Sequence, residues 1–566
     1  MTRQETLDAI RQKPEATVLI IGAGINGIGV FRDLALQGVD VLLVDRGDFC
    51  AGTSAASSHM VHGGVRYLEN GEFRLVREAV HERNRLLQNA PHYVRPLPTT
   101  IPIFKWFSGL FNAPLKFLGW LDKPSERGAV VIKTGLMLYD AYTRAQATVP
   151  KHRFAWRQAS LQQYPRLNPD ILCTATYYDG AMRTPERIAL ELILDGEADF
   201  PAASAVNYLS VTGATGPTVT LRDEVSGQTF DVSPKIVINA AGPWIDLTNR
   251  AMRRETRFIG GTKGSHLVLN HPELRQAIGE HEFFFENKDG RIVLIYPLLD
   301  KVLIGASDLP VDDPDQARCA EEEVDYFLSM ARHVFPAIHL ERSHIVFRFS
   351  GVRPLPTSEA ATAGQISRDH SVRVIEPDQE IGFPIYSLIG GKWTTFRAFA
   401  GQTTDLVLAR LGLTRRRSTA DLPIGGGRDY PRTAAAQQEW LAGVQARSPL
   451  PFERLKTLFE RYGTRAEEIA TFIAAETDHP LTHKPDYSQR EVIFLALREK
   501  VVHLDDLVLR RSLLAMLGEL TAPLVRELAQ VAGQALGWPA AGQEAEIART
   551  CQLMAEHHGV RLAEKS

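Results

Sequence analysis

The chain has 566 residues, 44% apolar and 23% charged, with a formal net charge of −3. Such a chain can bury a sizeable core in more than one domain, and its near-neutral charge gives nucleic acid no electrostatic footing. Four scattered cysteines (Cys50, Cys173, Cys319, Cys551) form no CxxC pair, so neither a disulfide framework nor a zinc site is expected.

The first residues carry acids and no apolar core, so no secretory signal is expected, and the cysteine usage fits a reducing compartment. No uncharged apolar run reaches the ~18 residues that span a bilayer. The first strong signal runs from Val18 to Asp45: an apolar strand, Gly22-Ala23-Gly24-Ile25-Asn26-Gly27, an amphipathic stretch, a second apolar strand and an acid. This is the spacing of a dinucleotide-binding βαβ unit. Gly22 permits the turn, Gly24 lets the backbone approach a pyrophosphate, and Gly27 lets the helix pack closely on the sheet. The phosphates then sit at the helix N-terminus, where N–H groups and the dipole favour negative charge. Asp45 can accept hydrogen bonds from both ribose hydroxyls.

That fingerprint leaves NAD or FAD open. A small, hydroxyl-rich loop follows the acid directly and contains Thr53, Ser54, Ser57 and Ser58. It can lay N–H and O–H groups along a second part of a long cofactor, which a flavin needs and a nicotinamide does not. Next comes His62-Gly63-Gly64-Val65-Arg66-Tyr67. The glycines let the backbone pass close to a ligand. Arg66 offers a planar donor fork, Tyr67 a hydroxyl, and His62 a proton exchanger near neutral pH.

From Ile101 to Leu121, Trp106, Leu110, Ala113, Phe117 and Trp120 recur at helical spacing, with Lys105, Ser108, Asn112 and Lys116 opposite and Pro114 interrupting. The stretch reads as an interfacial membrane helix or as a helix packed on the protein's own core; the first is the working expectation. Ile236 to Asn239 reads as a buried strand ending in Ala240-Ala241-Gly242, small enough for a cofactor to lie across it, with Pro243 ending strand pairing. The proline after Arg353 biases that arginine toward extended backbone. Gly390-Gly391-Lys392-Trp393-Thr394-Thr395 precedes an apolar-periodic helix, and two glycines opening a helix predict a further anion site that can stabilise charge on a reduced flavin. Pro423 to Gly427 reads as a linker, and residues 431–560 carry helical periods whose charges read as solvated faces.

At these motifs the chain resembles the FAD-dependent glycerol-3-phosphate dehydrogenases. The segment from Ser57 to Glu69 looks like that family's signature. Segments from Asp179 to Arg187, Ile236 to Trp244, Gly261 to His266, Phe349 to Leu355 and Gly390 to Thr395 follow in family order. The match runs over roughly residues 17–520. Two positions depart: His59 stands where the family has a basic lysine or arginine, and Ser350 where it has alanine.

The resemblance implies an α/β (overall α+β) architecture. Its parts are a Rossmann-like FAD-binding domain of the glutathione-reductase and D-amino-acid-oxidase type, a mixed-sheet substrate domain and an all-α C-terminal domain. The expected division is residues 1–100 for the first FAD-binding part, 101–150 for a helical insertion, 151–235 interleaved, 236–260 FAD-binding, 261–350 substrate-binding, 351–420 FAD-binding and 421–566 the helical cap. The implied reaction oxidises sn-glycerol 3-phosphate to dihydroxyacetone phosphate, with hydride transfer to FAD and electrons passed to a quinone. An oxygen-using glycerol-3-phosphate oxidase releasing hydrogen peroxide, an amine oxidase on the same scaffold, and a non-catalytic flavin module remain as alternatives.

His62 or His266 would act as the base, with His62 favoured, and Arg353 joins the catalytic set. Arg66, Tyr67, Arg353 and Lys392 would hold the substrate. Gly22, Gly24, Gly27, Asp45, Thr53, Ser54, Ser57, Ser58, Gly242, Gly391, Lys392, Trp393 and Thr394 would hold the cofactor. No metal and no calcium control are expected. Peripheral association with the inner face of the cell membrane is implied, and stability, dimerisation or partner docking are open roles for the helical cap.

Overall fold

The computed structural model describes residues 2–64, 72–105, 132–133, 135–137, 149–286, 292–357 and 369–564. Arg66, Tyr67 and the Trp106 to Trp120 stripe lie outside them.

Two sheets organise the chain. In the first, the apolar strand Glu15–Ile21 lies between Val41–Val44 and Thr229–Asn239, all parallel. Ser204–Val206 extends one edge, and Ile385–Ile389 and Ser371–Ile375 the other. Strands buried on both faces read as unbroken apolar runs, which is the reason Val18 to Ile21 and Val41 to Val44 were legible. The helix Ile25–Leu36 covers one face, and Val18, Ile20, Ile28, Phe31 and Phe396 share its core.

The second sheet is mixed and ten-stranded. Its strand Thr262–Leu269 pairs antiparallel with Ile345–Arg353, setting His266 opposite Phe349 and Thr262 opposite Arg353. Far-apart motifs thus reach one sheet through register alone.

The C-terminal region is helical, as expected, with Phe452–Tyr462 stopped by Gly463 at φ +60°. It is not set off by a linker. Gly426 and Gly427 are buried in a 3-10 turn, and a Cβ at Gly426 would lie 1.9 Å from the carbonyl oxygen of Tyr462. The amides of Gly425 and Gly426 donate to Asp195 and Glu191 at 3.0 and 3.1 Å. These glycines permit contact between segments; their composition imitates a flexible joint. Beyond them, Leu504, Leu514 and Leu524 share a core with Val268, Phe347 and Phe349 of the second sheet.

The expectation of solvated charges holds for residues such as Glu439, Arg447 and Lys456 but fails for a buried subset. Arg510 and Arg511 are buried and both bind Asp48, only three residues past Asp45. Neighbouring residues on an α-helix point about 100° apart. Here Leu507–Arg511 is a π-helical turn, and its two long guanidinium side chains reach one carboxylate. Asn207 donates to the same carboxylate at 2.9 Å. Arg187 holds Glu499 through two bonds of 2.6 and 2.8 Å, all buried. A charge leaves water only with such partners, and distant pairing is invisible to helical periodicity.

Burial alone would raise the Asp48 carboxyl, but Arg511 and Arg510 outweigh it and hold it below the usual carboxylate range. Its stabilising effect is therefore full above the unfolded value of ~3.9 and is lost as pH falls toward the lower folded value. Asp48→Asn should cost about 3 kcal/mol in denaturant unfolding at pH 7, and the gap to wild type should narrow only below about pH 4. An undiminished gap at pH 3 would contradict this assignment.

Candidate active site and cofactor cavity

One cavity of about 2040 Å³ opens where the two sheets meet. Single ligands occupy roughly 300–1,000 Å³, so there is room here for an extended cofactor and a substrate together.

The dinucleotide turn forms one end. Gly22 has φ +104°, and a Cβ there would meet the backbone of Ala240 at 2.7 Å. A Cβ at Gly27 would lie 2.0 Å from the Gly22 carbonyl oxygen, so only glycine lets the helix start this close to the strand. Gly24 caps the helix without a side-chain bond and lines the cavity. Asp45 also lines it; its carboxylate accepts from the amides of Ala23 at 2.6 Å and Gly47 at 2.9 Å. Burial pushes this carboxyl up to about 6.

Several expected cofactor ligands spend polar atoms on building the walls. The Ser54 hydroxyl accepts from the Ile25 amide at 2.9 Å, at the helix N-terminus. Thr53 donates to the Val352 carbonyl at 2.6 Å, and the Trp393 indole to the Ser54 carbonyl at 2.8 Å. The Ser57 hydroxyl accepts from the His59 amide, and Thr394 from the His62 amide at 3.2 Å. These bonds tie the hydroxyl-rich loop to the strand Ile345–Arg353, to the start of the helix Ile25–Leu36 and to the turn before Phe396. Gly242, at φ +57°, has open space where a Cβ would be and lines the cavity.

The expected helix-opening glycines are placed differently. Gly390 and Gly391 lie in the turn after Ile385–Ile389, while the helix begins only at Phe396. They are glycine because φ is +76° and +96° and because Asn26 approaches a would-be Cβ at Gly391 to 2.4 Å. The segment expected to form an anion site at a helix N-terminus is thus a turn ahead of the helix.

The candidate reactive groups share this cavity. His62, His266, Arg353 and Lys392 all line the same cavity. Arg353 ends its strand, as the following proline predicts, and donates to Asp308 and the Ser307 carbonyl, both at 3.1 Å. A Cβ at Gly264 would lie 2.3 Å from this guanidinium, so the glycine makes room for it. His266 is buried, stacked on Phe349 with centroids 4.9 Å apart, and shares a 2.8 Å hydrogen bond with Ser58. Burial, with Arg353 and His59 nearby, pushes it well below the usual histidine value.

Sequence reasoning missed several residues. Asn26 donates to the Gly390 carbonyl at 3.3 Å, while its buried Oδ1 has no hydrogen-bond partner among the described residues and can take a donor from a ligand. Asp179 accepts from the Gly63 amide at 2.9 Å and from buried Arg83, fixing the glycine pair behind His62. Asp308 follows the run Gly305-Ala306-Ser307; a small-residue run ending in an acid was its only sequence signal. Arg46, Trp244 and Asp315 close one rim: Arg46 pairs with Asp315 and stacks on Trp244, whose indole donates to Asp315 at 3.0 Å.

The family model for FAD-dependent oxidoreductases matches residues 17–375, and the C-terminal domain model of alpha-glycerophosphate oxidase matches residues 417–543. A glycerol-3-phosphate dehydrogenase of Synechocystis is 33% identical over 88% of this chain and 89% of its own length. The chain belongs to the FAD-dependent glycerol-3-phosphate dehydrogenase family. The mitochondrial glycerol-3-phosphate dehydrogenase of Mus musculus is 27% identical over 96% of this chain and 74% of its own. The glycerol-3-phosphate dehydrogenase of Bacillus halodurans, solved with FAD, shares the fold at a TM-score of 0.74 and 20% identity, over 98% and 97% of the two chains.

For an FAD-dependent family the cavity is of the right kind. The close glycine turn, Asp45, the orphaned Asn26 oxygen and the open space beside Gly242 form a cradle for a dinucleotide. Ribose hydroxyls donate best to an ionised Asp45. Flavin affinity should therefore fall as pH drops through about 6. Asp45→Asn should weaken binding about tenfold at pH 8 and flatten this dependence, measured by flavin titration of stripped protein. A pH-independent wild-type affinity would remove Asp45 from this role.

Proposed function

We propose that this protein oxidises sn-glycerol 3-phosphate to dihydroxyacetone phosphate and passes the electrons to a membrane quinone. The observation that carries this reading is the convergence of Arg353, Lys392, His62 and His266 on one cavity with the dinucleotide turn. A phosphate dianion needs charge-assisted donors, and arginine supplies a planar pair. Arg353 is pre-positioned by Asp308 and the Ser307 carbonyl, so little side-chain freedom is lost when an anion binds. Lys392 adds a second cation to the residues that line the cavity. Arg66 and Tyr67, the other expected substrate ligands, lie outside the described residues.

When bound, FAD supplies the two-electron acceptor for the hydride that leaves C2. The C2 hydroxyl proton goes to His62, which is half-buried and faces the cavity. His266 is the weaker base, because burial and Arg353 disfavour its charged form. Cationic Arg353 and Lys392 favour negative charge on the C2 oxygen as that proton leaves. Tight packing of Thr394 and Trp393 under the site keeps this geometry rigid.

Quinone as acceptor and association with the inner face of the membrane are supported by the amphipathic stretch around Trp106 to Trp120. No helix among the described residues is long and apolar enough to cross a bilayer. A quinone acceptor would then reach the protein at the membrane surface. Oxygen as the acceptor is the second reading, favoured by the match to the oxidase C-terminal domain.

Anaerobic addition of glycerol 3-phosphate should bleach the flavin, and a quinone analogue should restore it faster than oxygen does. A flavin that stays yellow would overturn the substrate; faster recovery with oxygen, releasing hydrogen peroxide, would establish the oxidase. Arg353→Met should lower kcat/KM by about a hundredfold or more, mostly through KM. Near-normal kinetics would remove Arg353 from the clamp.

A further inference from the structure

The bond between Ser58 and His266 spans the two halves of the cavity wall and carries an inference that rests on the substrate reading above. Ser58 belongs to the hydroxyl-rich loop and lines the cavity, while His266 lies mid-strand in the second sheet. Their side chains meet at 2.8 Å through Nε2. The other ring nitrogen, Nδ1, is buried and has no hydrogen-bond partner among the described residues. Phe349 holds the ring from one side, its plane tilted only 11° from the imidazole.

A neutral imidazole carries one N–H. Burial, Arg353 and His59 all disfavour a second proton on His266, and burial likewise pushes His59 down to about 4. Were the single proton on Nδ1, a buried donor would lack any acceptor. On Nε2 it is satisfied by Ser58, and only a lone pair goes unused. Orphaned buried N–H groups are the rarer and costlier case. The N–H is then on Nε2 and donates to Ser58 Oγ. The hydroxyl proton of Ser58 cannot point back at that nitrogen and is left to serve an acceptor in the cavity that Ser58 lines.

We propose that Ser58 donates a hydrogen bond to an oxygen of the bound phosphorylated polyol, and that His266 is a positioning residue that aims this hydroxyl. The bond exists equally in the bound substrate and in the transition state, so its loss raises KM and spares kcat. No proton is exchanged with His266, so the pH profile stays with His62.

The test is anaerobic stopped-flow reduction of the flavin by glycerol 3-phosphate from pH 6 to 9. It is paired with titration of the oxidised flavin spectrum by dihydroxyacetone phosphate, which reads binding without turnover. Ser58→Ala and His266→Leu should each raise KM and the titration constant about tenfold, with limiting rate and pH profile near wild type. The double variant should lose no more than either single one. His266→Gln should recover most of the loss, because its amide N–H takes the place of Nε2–H yet cannot accept a proton.

A fall in limiting rate with an altered pH profile in both His266→Leu and His266→Gln would make His266 the base and overturn the inference. Additive losses in the double variant would overturn it too. If His266→Leu does not retain flavin, Ser58→Ala and His266→Gln decide the question alone. Wild-type flavin that glycerol 3-phosphate fails to reduce would sink the substrate reading itself, and the inference with it.

Discussion

The carboxylate of Asp48 is the constraint on which the working geometry rests. It is fully buried, three residues beyond the acid that faces the cofactor cavity, and it is held by guanidinium groups more than 460 positions away in the chain. A desolvated charge of this kind is unforgiving: intact, it locks two parts of the protein in one arrangement, and broken, it leaves like charges facing each other without water. The hydroxyl-rich loop that builds the cradle begins directly after it. The C-terminal helices therefore act as the buttress of the cofactor loop, and the shared apolar core with the second sheet holds that buttress in place.

From this anchor the cavity is assembled by close approach. Backbone meets backbone at Gly22 and Gly27, guanidinium meets backbone at Gly264, and Gly426 admits the Tyr462 carbonyl. Elsewhere side-chain hydroxyls bridge the sheets, as Thr53 does to Val352 and Thr394 to His62. Each bridge satisfies a buried polar group that would otherwise cost stability. The same contacts hold the reacting wall still, which a hydride transfer requires, since misplacement by an ångström lowers rates steeply.

The electrostatics divide the labour. Arg353 stays charged beside Asp308, and its field together with burial keeps His266 neutral. His62 lines the cavity and is half-buried. Two histidines in family-matched motifs thus occupy different environments, and environment as well as residue type sets how readily each takes a proton.

What the sequence by itself determined was everything that local order encodes. The βαβ unit, the acid after it, the strand ending at Asn239 and the extended Arg353 follow from apolar periodicity, glycine spacing and proline sterics, which act within a few residues. The tertiary structure alone decided which charges are buried, that Gly425 to Gly427 are a packed seam, that Gly390 and Gly391 form a turn ahead of the helix, and that Ser58 and His266 share a bond. Each of these depends on partners tens to hundreds of residues distant. Such pairings leave no periodic trace, because register between strands and the desolvation of an ion pair are set only when the sheets and helices close on one another.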